Sequence, residues 1–144
     1  MLSAKYNYSV VKLLEYLQLE IRTPTEAPLG LHVEVSVTMN SSKTTLDQVV
    51  AFARLVDVDE GDEVIDDNLS SQSVDNAHLI AGKDDLACYF LFEIPMLHLG
   101  SFRVRLVFSQ HIRTNSAFEL RVLGHVDSDI IFVQDNGNPI TTAN

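Results

Sequence analysis

The side chains able to do chemistry in this 144-residue chain are few and widely spaced. Histidines stand at positions 32, 78, 98, 111 and 125, and no pair has a close metal-binding spacing. His98 and His111 fall in expected connections, whereas His32 points outward from an expected strand. Serine, histidine and aspartate are all present, but no nucleophile elbow frames them. Six glycines form no phosphate-cradling run. Cys88 is the single cysteine, set among apolar residues, so a buried and inert thiol is expected and no intramolecular disulfide can form. Asp57-Val-Asp59-Glu-Gly61-Asp62 starts like a calcium loop, yet its glycine comes one position early and Asn68 stands where such a loop needs glutamate. That stretch reads as a solvated acidic loop. Arg103 and Arg105 alternate with apolar residues, which makes them outward-facing candidates for contact with a protein partner. No catalytic residue, metal ligand or cofactor is expected.

The elements that would carry these residues are strands. Leu86, Cys88, Phe90, Phe92 and Ile94 recur with period two, and so do Phe102, Val104, Leu106 and Phe108. Between them, Pro95 stops one ladder and Gly100 permits an unusual φ at the start of the next. The two runs are expected to pair antiparallel at the centre of the fold, with Phe90, Phe92, Phe102, Val104 and Leu106 in the core. Leu17, Leu19 and Ile21 mark another strand, and Leu31, Val33, Val35 and Val37 give the plainest alternation in the chain. Gln48–Val56 reads as a strand covered on both faces, Phe118, Leu120 and Val122 as a further strand, and Asp129–Val133 as a short one. Arg22–Gly30, with two prolines, and Ser109–Ser116 read as connections. Asn68–Ile80 alternates weakly, and Lys83-Asp84-Asp85 turns the chain.

Residues 1–15 are ambiguous, because Val10, Val11, Leu14 and Leu17 have helical spacing and Ser9 could cap a helical turn. The organisation expected is an N-terminal segment at 1–15, one domain at 16–133 and a tail at 134–144. The fold expected is an all-β, immunoglobulin-like antiparallel sandwich of seven or eight strands.

Bulk properties narrow the function. The length suits one domain that buries about two-thirds of its unfolded surface. A formal charge of −10 opposes nucleic-acid binding through the overall field, although seven of the twenty acids lie between Asp57 and Asp67. No apolar run approaches the roughly 20 residues of a membrane span, and no secretory leader is legible, so an intracellular protein, nuclear or cytoplasmic, is expected.

The order of particular residues adds a resemblance. Tyr89-Phe90-Leu91-Phe92, a loop, and Gly100-Ser-Phe102-Arg103-Val104-Arg105-Leu106 resemble a strand pair of the fungal velvet domain, an F-F-x-F-like strand followed by G-x-[FY]-R-L-R. Asn68-Leu69, Val74 and the Asp84-Asp85 turn are similar to the segment before that pair, so the likeness covers residues 68–108. Tyr16 and Pro24 keep the spacing of the family's first strand. Thr25-Glu26-Ala27-Pro28 stands where the family carries a basic loop, which leaves Arg22 as the candidate nucleic-acid contact.

The resemblance implies a Rel-like sandwich in a non-enzymatic regulator of transcription or development. It implies a homo- or heterodimer acting through protein partners, with nucleic acid bound weakly or through a partner. The alternative is an unrelated immunoglobulin-like adaptor or assembly subunit.

Overall fold

The computed structural model describes residues 5–43, 46, 48–65, 80, 81 and 87–135. The Asn68–Ile80 alternation falls almost wholly outside these residues. So do the Lys83–Asp85 turn, His78 and the chain after Asp135.

Eleven strands and no helix form among the described residues: β1 (Tyr6–Leu14), β2 (Leu17–Pro24), β3 (Glu26–Pro28), β4 (His32–Ser41), β5 (Val49–Asp57), β6 (Glu63–Val64), β7 (Ile80–Ala81), β8 (Ala87–Pro95), β9 (Gly100–Arg113), β10 (Phe118–Asp127) and β11 (Ile131–Gln134). They make two sheets packed face to face as a β-sandwich. One sheet has the order β1-β2-β4-β8-β7 and the other β3-β11-β9-β5-β6, with β10 also paired to β9. Among the described residues no helix is long and apolar enough to cross a membrane.

Period two explains the layers, because alternate side chains leave a strand on opposite faces. From the first sheet Leu19, Ile21, Val35, Val37, Met39, Phe90 and Phe92 point inward, and from the second Ala53, Leu55, Phe102, Val104, Leu106 and Phe108 meet them, all at most 2% exposed. The five core residues expected from the sequence are all in this layer. Phe90 meets Phe108 edge-on across the sandwich, with ring centroids 5.8 Å apart.

The pairing of the two central strands differs from expectation. β8 and β9 are not neighbours: β8 pairs with β4 and β7, and β9 pairs with β5, β10 and β11. The Met96–Leu99 connection carries the chain from one sheet to the other. Met96 is fully buried and exchanges backbone bonds with the Leu29–Leu31 turn (Gly30 N–H to Met96 O, 2.8 Å; Met96 N–H to Leu31 O, 3.0 Å). Two rich aromatic faces cover each other when they lie in opposed layers, whereas side by side both would still need a cover. Gly100 has the positive φ anticipated for it, +133°.

Four smaller readings also change. Residues 6–14 are a strand, since β1 pairs with β2 from Tyr6↔Pro24 onward and the apparent helical spacing has no helix behind it. The Arg22–Gly30 connection is mostly strand: Pro24 ends β2 and Pro28 ends β3, positions where a missing N–H breaks little of the ladder. β3 pairs parallel with β11, so the sandwich is not wholly antiparallel. The expected Ser109–Ser116 connection shortens, because β9 runs on to Arg113 once β10 lies beside it. That extension places the candidate site.

Candidate interaction surface

β9 and β10 leave the sandwich together as a two-stranded ribbon. The register pairs Phe118 with Arg113, Leu120 with His111 and Val122 with Ser109. On β10 the pattern Phe118, Leu120, Val122 looks like a core face, yet these side chains are 67%, 60% and 68% exposed. Among the described residues no strand packs over them. On the same outer face stand half-buried Val50 and Val107 and Phe52, which is 38% exposed. β5 is therefore not covered on both faces as its sequence suggests. Exposed apolar side chains thus stand on the outer face of β10 and β5, separated on β9 by arginine, histidine and serine, and exposed apolar groups of this kind mark association surfaces.

A bulge marks where ribbon and sandwich part. The register shifts between Val122 and Gly124, and the intervening Leu123 turns inward to 5% exposure. Gly124 has φ +138°, and a Cβ there would lie 3.0 Å from Leu13 of β1. A side chain at 124 would press on the Leu13 side chain, which would have to shift by a few tenths of an ångström, and would also strain the backbone.

The arginines proposed as partner contacts lie on this outer face but are already engaged. Arg105 Nε and Nη2 donate to the two carboxylate oxygens of Asp127 at 2.8 and 3.1 Å, a bidentate pair. Those hydrogen bonds raise the Arg105 pKa and lower that of Asp127, overriding the desolvation that acts oppositely on each. Arg103 donates to the Ser128 carbonyl at 2.9 Å. Both arginines are half-buried, so they hold β9 to the end of β10 and the residue after it more than they present charge. Arg54 sits directly across from Arg105 on β5 and is exposed.

Arg22 lies on the outer face of the other sheet. Its guanidinium stacks 3.5 Å from the Tyr6 ring centroid and donates from Nε to the Tyr8 hydroxyl at 3.2 Å. The Tyr8 hydrogen bond is the main cause of its raised pKa. Arg22 and the pair Arg103 and Arg105 therefore belong to separate faces.

The remaining chemical candidates find structural roles. Cys88 is 4% exposed, and burial pushes its thiol up to about 12, so it is protonated and inert at neutral pH. His111 is on β9 rather than in a loop, and His32 is exposed on β4. In the acidic stretch the Asp57 carboxylate accepts the Asp59 N–H at 3.0 Å, and Asp59 accepts the Ser101 N–H at 3.3 Å. These carboxylates pin a turn against the start of β9. An open depression of about 460 Å³ beside it is lined by Glu26, Gly100, Ser101, Phe132, Val133 and Gln134. Among the described residues no group of three or more histidine, cysteine or acidic side chains could hold a metal ion.

Sequence reasoning missed the ribbon. The signal lies in the register: the neighbours of Phe118, Leu120 and Val122 are arginine, histidine and serine, so the apolar row continues into no apolar neighbour on β9. That is invisible until the pairing is known. No protein-family model matches the chain, and no curated protein matches it.

Proposed function

We propose that this chain is a non-enzymatic regulatory module that works by binding protein partners, a divergent velvet-like subunit of transcriptional or developmental control in the nucleus or cytoplasm. The observation that carries the reading is the row Phe118, Leu120 and Val122, exposed outside the buried core of the described residues. Phe118 already has Arg113 stacked 4.8 Å from its ring centroid, and a partner that covers the row gains roughly 25 cal/mol per Å² of apolar surface removed from water. The velvet-like order of residues in β8 and β9 supports placing that association in a dimerising regulator with an immunoglobulin-like or Rel-like topology. DNA plays a minor part in this reading. The net charge is −10, and the Arg22 guanidinium is occupied by two tyrosines.

The test compares the full-length chain with its Phe118→Ser, Leu120→Ser, Val122→Ser triple variant, both tagged and expressed in the native cell. Quantitative mass spectrometry of the captured proteins is expected to show a discrete set with the wild type that the triple variant loses. Transcript profiles of a deletion strain should be restored by the wild type and not by the triple variant. Identical captured sets and identical rescue would overturn the reading. Submicromolar, salt-sensitive binding of duplex DNA by the isolated chain would transfer the function to nucleic acid, since ordinary non-specific affinities lie at about 10⁻⁴–10⁻⁶ M.

A further inference from the structure

The direction of the backbone groups along β9 fixes which groups of β10 are free. His111 N–H donates to Gln48 O at 3.1 Å on the β5 side, and Thr114 N–H donates to Ala117 O at 2.8 Å on the β10 side. A residue's N–H and C=O leave a strand on the same side and alternate from one residue to the next. The even residues 110 and 112 therefore bond toward β10, where their register partners are Arg121 and Glu119. The N–H and C=O groups of Phe118, Leu120 and Val122 consequently point away from β9. Among the described residues no strand pairs with that edge: β1 comes close to β10 at Gly124, beyond the ribbon.

The sequence of this edge is symmetric about its centre. Apolar residues stand at 118, 120 and 122, with one acid and one base, Glu119 and Arg121, on either side of Leu120. We propose that the free edge of β10 pairs antiparallel with the same edge of a second copy, about a two-fold axis at Leu120. This deepens the association reading above and rests on it. In that register Leu120 faces Leu120 and Phe118 faces Val122, all through the outward backbone groups. Glu119 then falls opposite Arg121 of the second copy, twice, in the non-hydrogen-bonded positions where Cα atoms approach to about 4.5 Å and side chains are nearest. One face of the joined strands carries a continuous apolar row from both copies. The other carries two opposite-charge pairs. An edge strand is a ready template for such pairing, and a two-fold interface requires this self-complementarity. Shifting the register by two residues removes the Glu119–Arg121 pairs, so the charges select the alignment. A strand from a different protein would share the backbone bonds but would not need this charge order.

The experiment is sedimentation equilibrium on the full chain over a wide concentration range. The wild type should reach twice its 16.1 kDa mass. Glu119→Arg alone and Arg121→Glu alone each turn two favourable pairs into two repulsive ones, and each should lower the association constant about tenfold or more. An equimolar mixture of these two variants should form a heterodimer, since every pair is then opposite in sign. The double variant, Glu119→Arg with Arg121→Glu, should self-associate like the wild type. Both side chains are exposed, so the fold is expected to tolerate each change, and the double variant keeps the test readable if a single reversal unfolds. A wild type that stays monomeric, dimerisation indifferent to both reversals, or a mixture without heterodimer would each overturn the proposal. A monomeric wild type whose captured partners still depend on Phe118, Leu120 and Val122 would overturn this pairing while leaving the association reading in place.

Discussion

Two stretches of the chain have the same pattern and opposite fates. Phe102, Val104, Leu106 and Phe108 alternate along the inner half of β9 and are fully buried. Phe118, Leu120 and Val122 alternate along the start of β10 and are at least 60% exposed. Both stretches form regular strand, and both pair antiparallel with good register. They differ in the face they occupy: the first faces β8 and its phenylalanines, and the second lies on the outer face of its sheet, where no described strand packs. Period two therefore specifies a conformation and an apolar face, whereas burial depends on whether another layer is present. In the ribbon no described strand supplies that layer.

The largest expected effect separates the two stretches directly. Phe102→Ala should cost about 3–5 kcal/mol, because the ring is fully buried and leaves a cavity. Phe118→Ala should change stability by only about 0.5 kcal/mol or less, as for an exposed side chain. Urea unfolding of both variants, at a concentration where the chain is monomeric, measures the contrast. Equal losses would place residue 118 in the core and remove the distinction.

A smaller effect is expected where ribbon and sandwich join. Asp127 is held below its ordinary carboxylate pKa, first by the hydrogen bonds from Arg105. A depressed folded-state value gives stability that is present above the unfolded pKa and lost as pH falls through the folded one. Asp127→Asn should therefore cost at most about 1 kcal/mol at neutral pH, the pair being partly exposed, and the difference from wild type should vanish well into acid. A difference in unfolding midpoint that persists unchanged to the lowest pH would show that the pair contributes through packing alone.

Much of the sandwich was legible because its cause is local. Alternation in Leu17–Ile21, Val33–Val37, Cys88–Ile94 and Phe102–Phe108 identified strands, faces and core, whereas Leu31 lies exposed before β4 and Leu86 lies outside the described residues, and Gly100 announced its positive φ. The partner of each strand was not legible, since facing strands and neighbouring strands require the same alternation. The sheet change at Met96–Leu99 thus escaped the sequence reading, as did the parallel β3–β11 pair. The arginines were rightly placed outward on β9, but their engagement by Asp127 and the Ser128 carbonyl joins residues more than twenty positions apart. The candidate surface was hidden for the same reason. A strand that protrudes and a strand that is covered are spelled alike.

The central claim is that the β10 edge is open in the monomer and available to a partner, and residue-resolved amide exchange by NMR tests it most directly. In dilute solution the Glu119 and Arg121 amides should be protected by their bonds to β9, while those of Leu120 and Val122 exchange freely. At high concentration Leu120 and Val122 should gain protection and the alternation should fade. Leu120 protected as strongly as Arg121 in dilute monomer would contradict the account, because it would show the edge already closed by the chain's own backbone.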